Sequence, residues 1–195
     1  METEKKSNLS WEELEKECNA CKKCPLGQTR TNLVFGTGNK NAELMFVGEA
    51  PGENEDLSGI PFVGRAGKLF DKYLEAVGIE RDSVYICNIL KCRPPKNRDP
   101  KPEEEDLCIG YLRDQVRLVK PKMIVCLGRI SAQKLIDKNF KVTKQHGEFI
   151  EKGGILFMGT FHPAALLRNP NNKPQALEDF LALRRKILEV CDHTY

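Results

Sequence analysis

Four short runs in this chain, Leu44-Met45-Phe46-Val47, Val84-Tyr85-Ile86-Cys87, Met123-Ile124-Val125-Cys126-Leu127 and Ile155-Leu156-Phe157-Met158, are apolar or aromatic throughout. A strand with one wet face would alternate polar and apolar residues. A run without polar positions belongs instead to a strand covered on both sides, and each of these is followed at once by glycine or asparagine. Helical spacing fills the intervals. Between Ala66 and Val77, the residues Leu69, Phe70, Tyr73, Leu74 and Val77 share one face, and comparable patterns run over Glu103 to Val119, Ser131 to Ile136 and Gln175 to Val190. Ser10-Trp11-Glu12-Glu13 has the spacing of a capping box and starts a helix toward Cys18. Strands and helices alternating at crossover length predict an α/β fold: a three-layer α/β/α sandwich on a central four-stranded, mostly parallel sheet. In such open sheets ligands bind beyond the carboxyl ends of the strands.

With 195 residues, no internal repeat and no separating linker, positions 1–195 read as a single domain, and a Cys-bearing arm over about residues 1–30 extends it. The 31 Lys and Arg against 28 Asp and Glu leave a net charge of +3, too even to identify a polyanionic partner or a disordered tail. No membrane span is expected, and the polar start METEKKSNLSWEELEKE has no signal-peptide pattern. The expected location is cytoplasmic, where the eight cysteines stay reduced and free for metal or catalysis.

Three constellations carry chemistry. Cys21-x2-Cys24 encloses two lysines, poor material for a core, and Cys92 and Cys108 flank the loop Arg93-Pro94-Pro95-Lys96-Asn97-Arg98-Asp99-Pro100. Four thiolates can close one metal site, and zinc or an iron-sulfur cluster are both compatible with them. Cys87 and Cys126 sit inside apolar strands and read as core, and Cys18 and Cys191 are left out of the site. The second constellation is Glu49, Asn88 and His162, polar groups at three strand ends where separate loops can converge on one cleft. Gly48 and Gly52 would allow close backbone approach there, and Pro51 would fix the turn. The third is Lys91, Arg93, Lys96, Arg98 and Lys101, a basic stretch suited to phosphates, which the acidic run Glu103-Glu104-Glu105-Asp106 partly cancels.

Taken in order, Cys21-x2-Cys24, Gly48-Glu49-Ala50-Pro51-Gly52, Pro61-Phe62-Val63-Gly64-Arg65-Ala66-Gly67, Asn88-x3-Cys92-Arg93-Pro94-Pro95, Cys108 and His162-Pro163-Ala164-Ala165 closely resemble the family 4, iron-sulfur uracil-DNA glycosylases, from about Cys21 to Asp179. The resemblance implies a uracil-DNA glycosylase fold and a [4Fe-4S] cluster on Cys21, Cys24, Cys92 and Cys108. It implies that Phe62 stacks on a flipped uracil, Asn88 reads its edge and His162 faces O2. Backbone from Gly48 through Glu49 to Ala50 would complete the pocket, and Glu55 would exclude the thymine methyl.

On that resemblance, one amide side chain can take the proton of uracil N3 and donate to O4, and cytosine reverses both partners. Donors at O2 stabilise departing uracil more than bound uracil. The better-studied relatives carry an Asp where this chain has Ala50, so Glu49 is left to orient water or steady the cationic sugar. Arg93 and Arg98 are expected on phosphates, and Leu166, Leu167 and Arg168 in the gap left by the flipped base. The loop Lys96-Asn97-Arg98-Asp99-Pro100 has no His, which implies turnover in place of covalent self-trapping. The expected reaction is hydrolysis of the N-glycosidic bond of uracil in single- or double-stranded DNA, in base excision repair, by a monomer with a replication clamp as a candidate partner. The alternatives are a non-catalytic iron-sulfur DNA-binding or damage-sensing module and, last, a zinc-stabilised nucleotide hydrolase, which would need an acidic metal cluster or a P-loop.

Overall fold

The computed structural model describes residues 8–193, so the first seven residues of the acidic start and of the N-terminal arm lie outside the described residues. The strands are β1 (Thr37–Gly38), β2 (Leu44–Gly48), β3 (Tyr85–Asn88), β4 (Met123–Leu127), β5 (Phe149–Lys152) and β6 (Ile155–Thr160). They form one sheet in the order β1-β3-β2-β4-β6-β5. The four anticipated runs are its parallel centre, with Gly48 opposite Asn88 and Val47 opposite Cys126. The sheet has six strands rather than the expected four, because β1 and β5 add antiparallel edges. β5 reaches β6 through Gly153-Gly154, both at positive φ, as a two-residue hairpin turn requires. With both flanks only half covered, β5 lacks the wholly apolar composition of the central strands.

Alternation along each strand divides the core. Leu44 and Phe46 of β2, Ile86 of β3 and Val125 of β4 face one side, where they meet Phe70, Tyr73 and Leu74 of α4 (Arg65–Ala76), Leu166 of α8 (Pro163–Arg168) and Phe180, Leu183 and Ile187 of α9 (Lys173–Val190). Met45, Val47, Cys87, Ile124 and Cys126 face the other side. There they pack with α1 (Trp11–Ala20), α5 (Pro102–Val119) and α6 (Arg129–Leu135), which places Cys87 and Cys126 in the core. The remaining short helices are α2 (Leu26–Thr29), α3 (Glu53–Ser58) and α7 (Val142–Gln145). The anticipated helices stand within about two residues of their expected ends, and α1 carries the full Ser10–Glu13 capping box. Among the described residues no helix is long and apolar enough to cross a membrane.

The chain leaves β2 toward α4 on one face and β4 toward α6 on the other. Strand order reverses between these two strands, so a crevice opens at their carboxyl ends. Gly48 lies in that crevice, with Asn88 beside it on β3 and His162 two residues beyond the end of β6.

Candidate active site and cysteine centre

Gly48 ends β2 with two side chains laid across it. A Cβ at this position would come within 2.5 Å of Phe62 Cζ and closer still to Asn88 Oδ1, so glycine is what permits the approach. Asn88 is buried, and its Oδ1 is the one buried side-chain oxygen or nitrogen without a hydrogen-bond partner among the described residues. An unmatched acceptor inside a protein costs about 1–3 kcal/mol, so its persistence calls for a ligand that supplies an N–H. Phe62 is 6% exposed, and its backbone sits at φ +55°, a left-handed conformation that is costly for an aromatic residue. Its ring centroid is 5.4 Å from that of Phe70 and 5.9 Å from that of His162.

Glu55 holds this turn in place. Its Oε1 accepts from the backbone N–H groups of Val63 (2.9 Å) and Gly64 (2.8 Å), and its Oε2 from that of Gly52 (3.1 Å). The side chain expected to exclude a methyl group therefore ties α3 to the strained loop that presents Phe62.

His162 caps α8, and its Nδ1 accepts the N–H of Ala164 at 3.1 Å, so the ring proton belongs on Nε2. Burial pulls the imidazole down to about 4; Arg168 adds to this and Glu55 opposes it. His162 is thus a neutral Nε2–H donor at physiological pH. Glu49 is half-buried, and burial pushes its carboxyl up to about 7, with Asp99 and Glu105 reinforcing the shift and Arg129 and Arg168 opposing it. Arg129 was not singled out from sequence; it pairs with Asp99 at 2.9 Å. Gly48, Asn88, Phe62 and His162 are thus gathered from three strand ends and the loop before α4, and Glu49 follows Gly48 directly in the chain.

Two of the expected DNA contacts change. Leu166 is 1% exposed inside the core shared with α4 and α9, so it cannot push into a base stack; the turn of α8 that aims Arg168 outward aims Leu166 inward. Arg98 spends its guanidinium on both oxygens of Glu104, at 2.6 and 2.8 Å, and Glu104 in turn accepts the N–H of Lys101 at the start of α5. Arg93 keeps a looser set, with Asn97 Oδ1 at 2.7 Å and Glu53 at 3.4 Å.

Away from the strand tips, a small cavity is lined by Cys21, Cys24, Cys92 and Cys108 together with Cys18, which was set aside on sequence grounds. Among the described residues, no group of three or more His, Cys, Asp or Glu side chains closes on a point suited to a single metal ion. A tetrahedral zinc at about 2.3 Å from each sulfur needs the four within about 4 Å of one another. The donor set round this cavity is all cysteine, and an all-thiolate set is what iron-sulfur clusters use. Three cations, Lys23, Arg30 and Lys91, line the same cavity. Arg30 Nη1 donates to Cys92 Sγ at 3.0 Å, favouring the thiolate that burial opposes. Burial pushes Cys108 up to about 11, and Lys91 acts against that shift. The residues present therefore fit such a cluster. Ala50 packs with Leu26, Leu90 and Cys92, so the turn after Gly48 rests on the cysteine centre.

The profile of the Uracil DNA glycosylase superfamily matches residues 35–183. A type-4 uracil-DNA glycosylase of Archaeoglobus fulgidus is 45% identical over 93% of this chain and 94% of its own length. Those of Sulfurisphaera tokodaii and Thermotoga maritima are 49% and 46% identical over 90% and 87% of this chain, each over 84% of its own length. A match over most of the sequence, together with the parallel centre of the sheet and the glycine-floored crevice, establishes that the chain belongs to the uracil DNA glycosylase superfamily and, within it, to the type-4 family.

Proposed function

We propose that this protein is a DNA repair enzyme that hydrolyses the N-glycosidic bond of uracil in DNA, releasing the free base and leaving an abasic site. The carrying observation is the buried, unpartnered Oδ1 of Asn88 above Gly48. An acceptor fixed there matches the N3–H of uracil, and the amide NH₂ of the same side chain donates to O4. Cytosine carries an acceptor at N3 and a donor at N4, so it would leave two buried mismatches. Phe62 offers its ring to the face of the base, and Glu55 holds the loop that aims it.

As the bond breaks, negative charge grows on the base and positive charge on the sugar. The neutral Nε2–H of His162 suits O2 of the departing anion, and such a donor gains strength as the charge develops. Glu49, once ionised, would orient the attacking water or stabilise the sugar cation, since Ala50 offers no carboxylate. The base must leave the duplex to reach this pocket, and Arg93, Leu167 and Arg168 are the residues we place against the flanking strand.

A [4Fe-4S] cluster on Cys21, Cys24, Cys92 and Cys108 would supply a cross-link between the N-terminal arm, the loop before α5 and α5 itself, and hydrolysis draws no electron from it. We read residues 1–195 as one domain working in the reducing cytoplasm, where these thiols stay free.

The test is incubation of the purified protein with an oligonucleotide carrying one uracil, with detection of free base and of the abasic site, against cytosine and thymine controls. Release of uracil alone is expected. Binding without release would replace this reading with the non-catalytic module. Stoichiometric zinc without iron in protein prepared anaerobically would overturn the cluster assignment.

A further inference from the structure

Lys91 is wholly buried, the rarest setting for a lysine. Its Nζ donates to the backbone carbonyl of Asn88 at 2.8 Å and to Gln115 Oε1 at 2.6 Å. Gln115 is locked in that orientation, because its Nε2 donates to Phe35 O at 2.9 Å and to Tyr85 OH at 3.1 Å. Both acceptors of the ammonium are uncharged. Among the described residues its partners are these two oxygens and the buried Cys87 thiol, none of them a carboxylate, so the cation lacks the counter-charge that such burial demands.

The same residue lines the cysteine cavity. Cys18, Cys21, Cys24, Cys92 and Cys108 share that lining with it. The anion missing on one side of Lys91 is therefore what a thiolate centre provides on the other. The side-chain Oδ1 of Asn88 has no partner to orient it, so the aim of that amide depends on how the Asn88 backbone is held. Lys91 holds it through the carbonyl.

We propose that Lys91 is a positioning residue that couples the cysteine centre to base recognition. Its buried ammonium balances thiolate charge on one side and fixes the Asn88 carbonyl, hence the base-reading amide, on the other. The proposal rests on the excision reading above and adds to it a reason why a hydrolase would keep a thiolate centre beside its pocket.

The test uses the iron-loaded protein and Lys91→Met, which keeps the unbranched stem of the side chain and removes its ammonium. Two rates are measured: kcat for uracil release at saturating DNA, and loss of iron to an added chelator. Groups one shell out from a metal centre typically change activity or affinity by about 10- to 100-fold. We expect kcat to fall at least about tenfold with little change in KM, and iron loss to quicken by a similar factor. If only one rate moves, or neither, the coupling is refuted. Should Lys91→Met fail to fold, Gln115→Glu keeps Lys91 but gives it a carboxylate partner. Both rates should then shift in the same directions, and unchanged rates overturn the proposal. Wild-type protein that releases no uracil would sink the excision reading instead, which separates the two failures.

Discussion

Replacing Asn88 by Ala separates a side chain kept for function from one kept for the fold. In the free protein Oδ1 is buried and unpaired, a cost of about 1–3 kcal/mol that truncation removes. The lost contact of the amide with Gly48 offsets most of that gain. Stability should therefore stay within about 1 kcal/mol of wild type, a shift of no more than about 4 °C in Tm for a chain of this size. The reaction loses two hydrogen bonds to the base at about 1–2.5 kcal/mol each, together about 2–5 kcal/mol. That corresponds to a fall of about 30- to 5,000-fold in kcat/KM for uracil. The assay is single-turnover release of uracil beside thermal melting of the same preparations. A loss in kcat/KM under tenfold, or a Tm lowered by more than 10 °C, would refute the reasoning: the first because the amide does not read the base, the second because it holds the fold.

The pH profile should report Glu49. With the carboxyl raised to about 7 and His162 lowered to about 4, excision should climb as pH rises through 7, and Glu49→Gln should remove that rise. Because the folded state holds the Glu49 proton more tightly than the unfolded chain, stability should fall as pH rises from 4.5 to 7 and then level off; urea midpoints across that window, absent a change in Glu49→Gln, check the sign. Gly48→Ala drives a Cβ into Phe62 and Asn88, so it should cost about 1–3 kcal/mol in denaturant melts and depress uracil release even where the protein still folds. Leu166→Ala should cost about 2–5 kcal/mol as a core truncation, seen by calorimetry. Arg168→Ala should leave stability alone, weaken DNA binding and reduce its salt slope by about 1, read from a titration at several salt concentrations.

The buried strands and the amphipathic helices were legible because each signature is local: an unbroken apolar run or a 3.6-residue spacing reports burial whatever its partner. The hairpin edge β5 was not read from the sequence: Gly153-Gly154 marks its turn, but its mixed polarity hides it from a search for fully covered strands. Motif order placed Phe62, Asn88 and His162 in one pocket, and spacing alone grouped Cys21 with Cys24.

What chain order could not state is direction. Leu166 and Arg168 stand two residues apart on one short helix, and only its packing against α4 and α9 sends the first inward and the second outward. Arg98 and Arg93 share a loop, yet the carboxylate that caps α5 captures one of them. Lys91 reads in the sequence as one more charge in a basic loop, although the apolar Ile89 and Leu90 before it hint at burial. Its two roles exist only where β3, α5 and the cysteine cavity meet. Chain order states which groups are present and which strand tips carry them. The tertiary structure decided which of those groups are already spent on one another and which, like Asn88 Oδ1, are left waiting for a partner, because hydrogen bonds and counter-charges are settled between segments far apart in the chain.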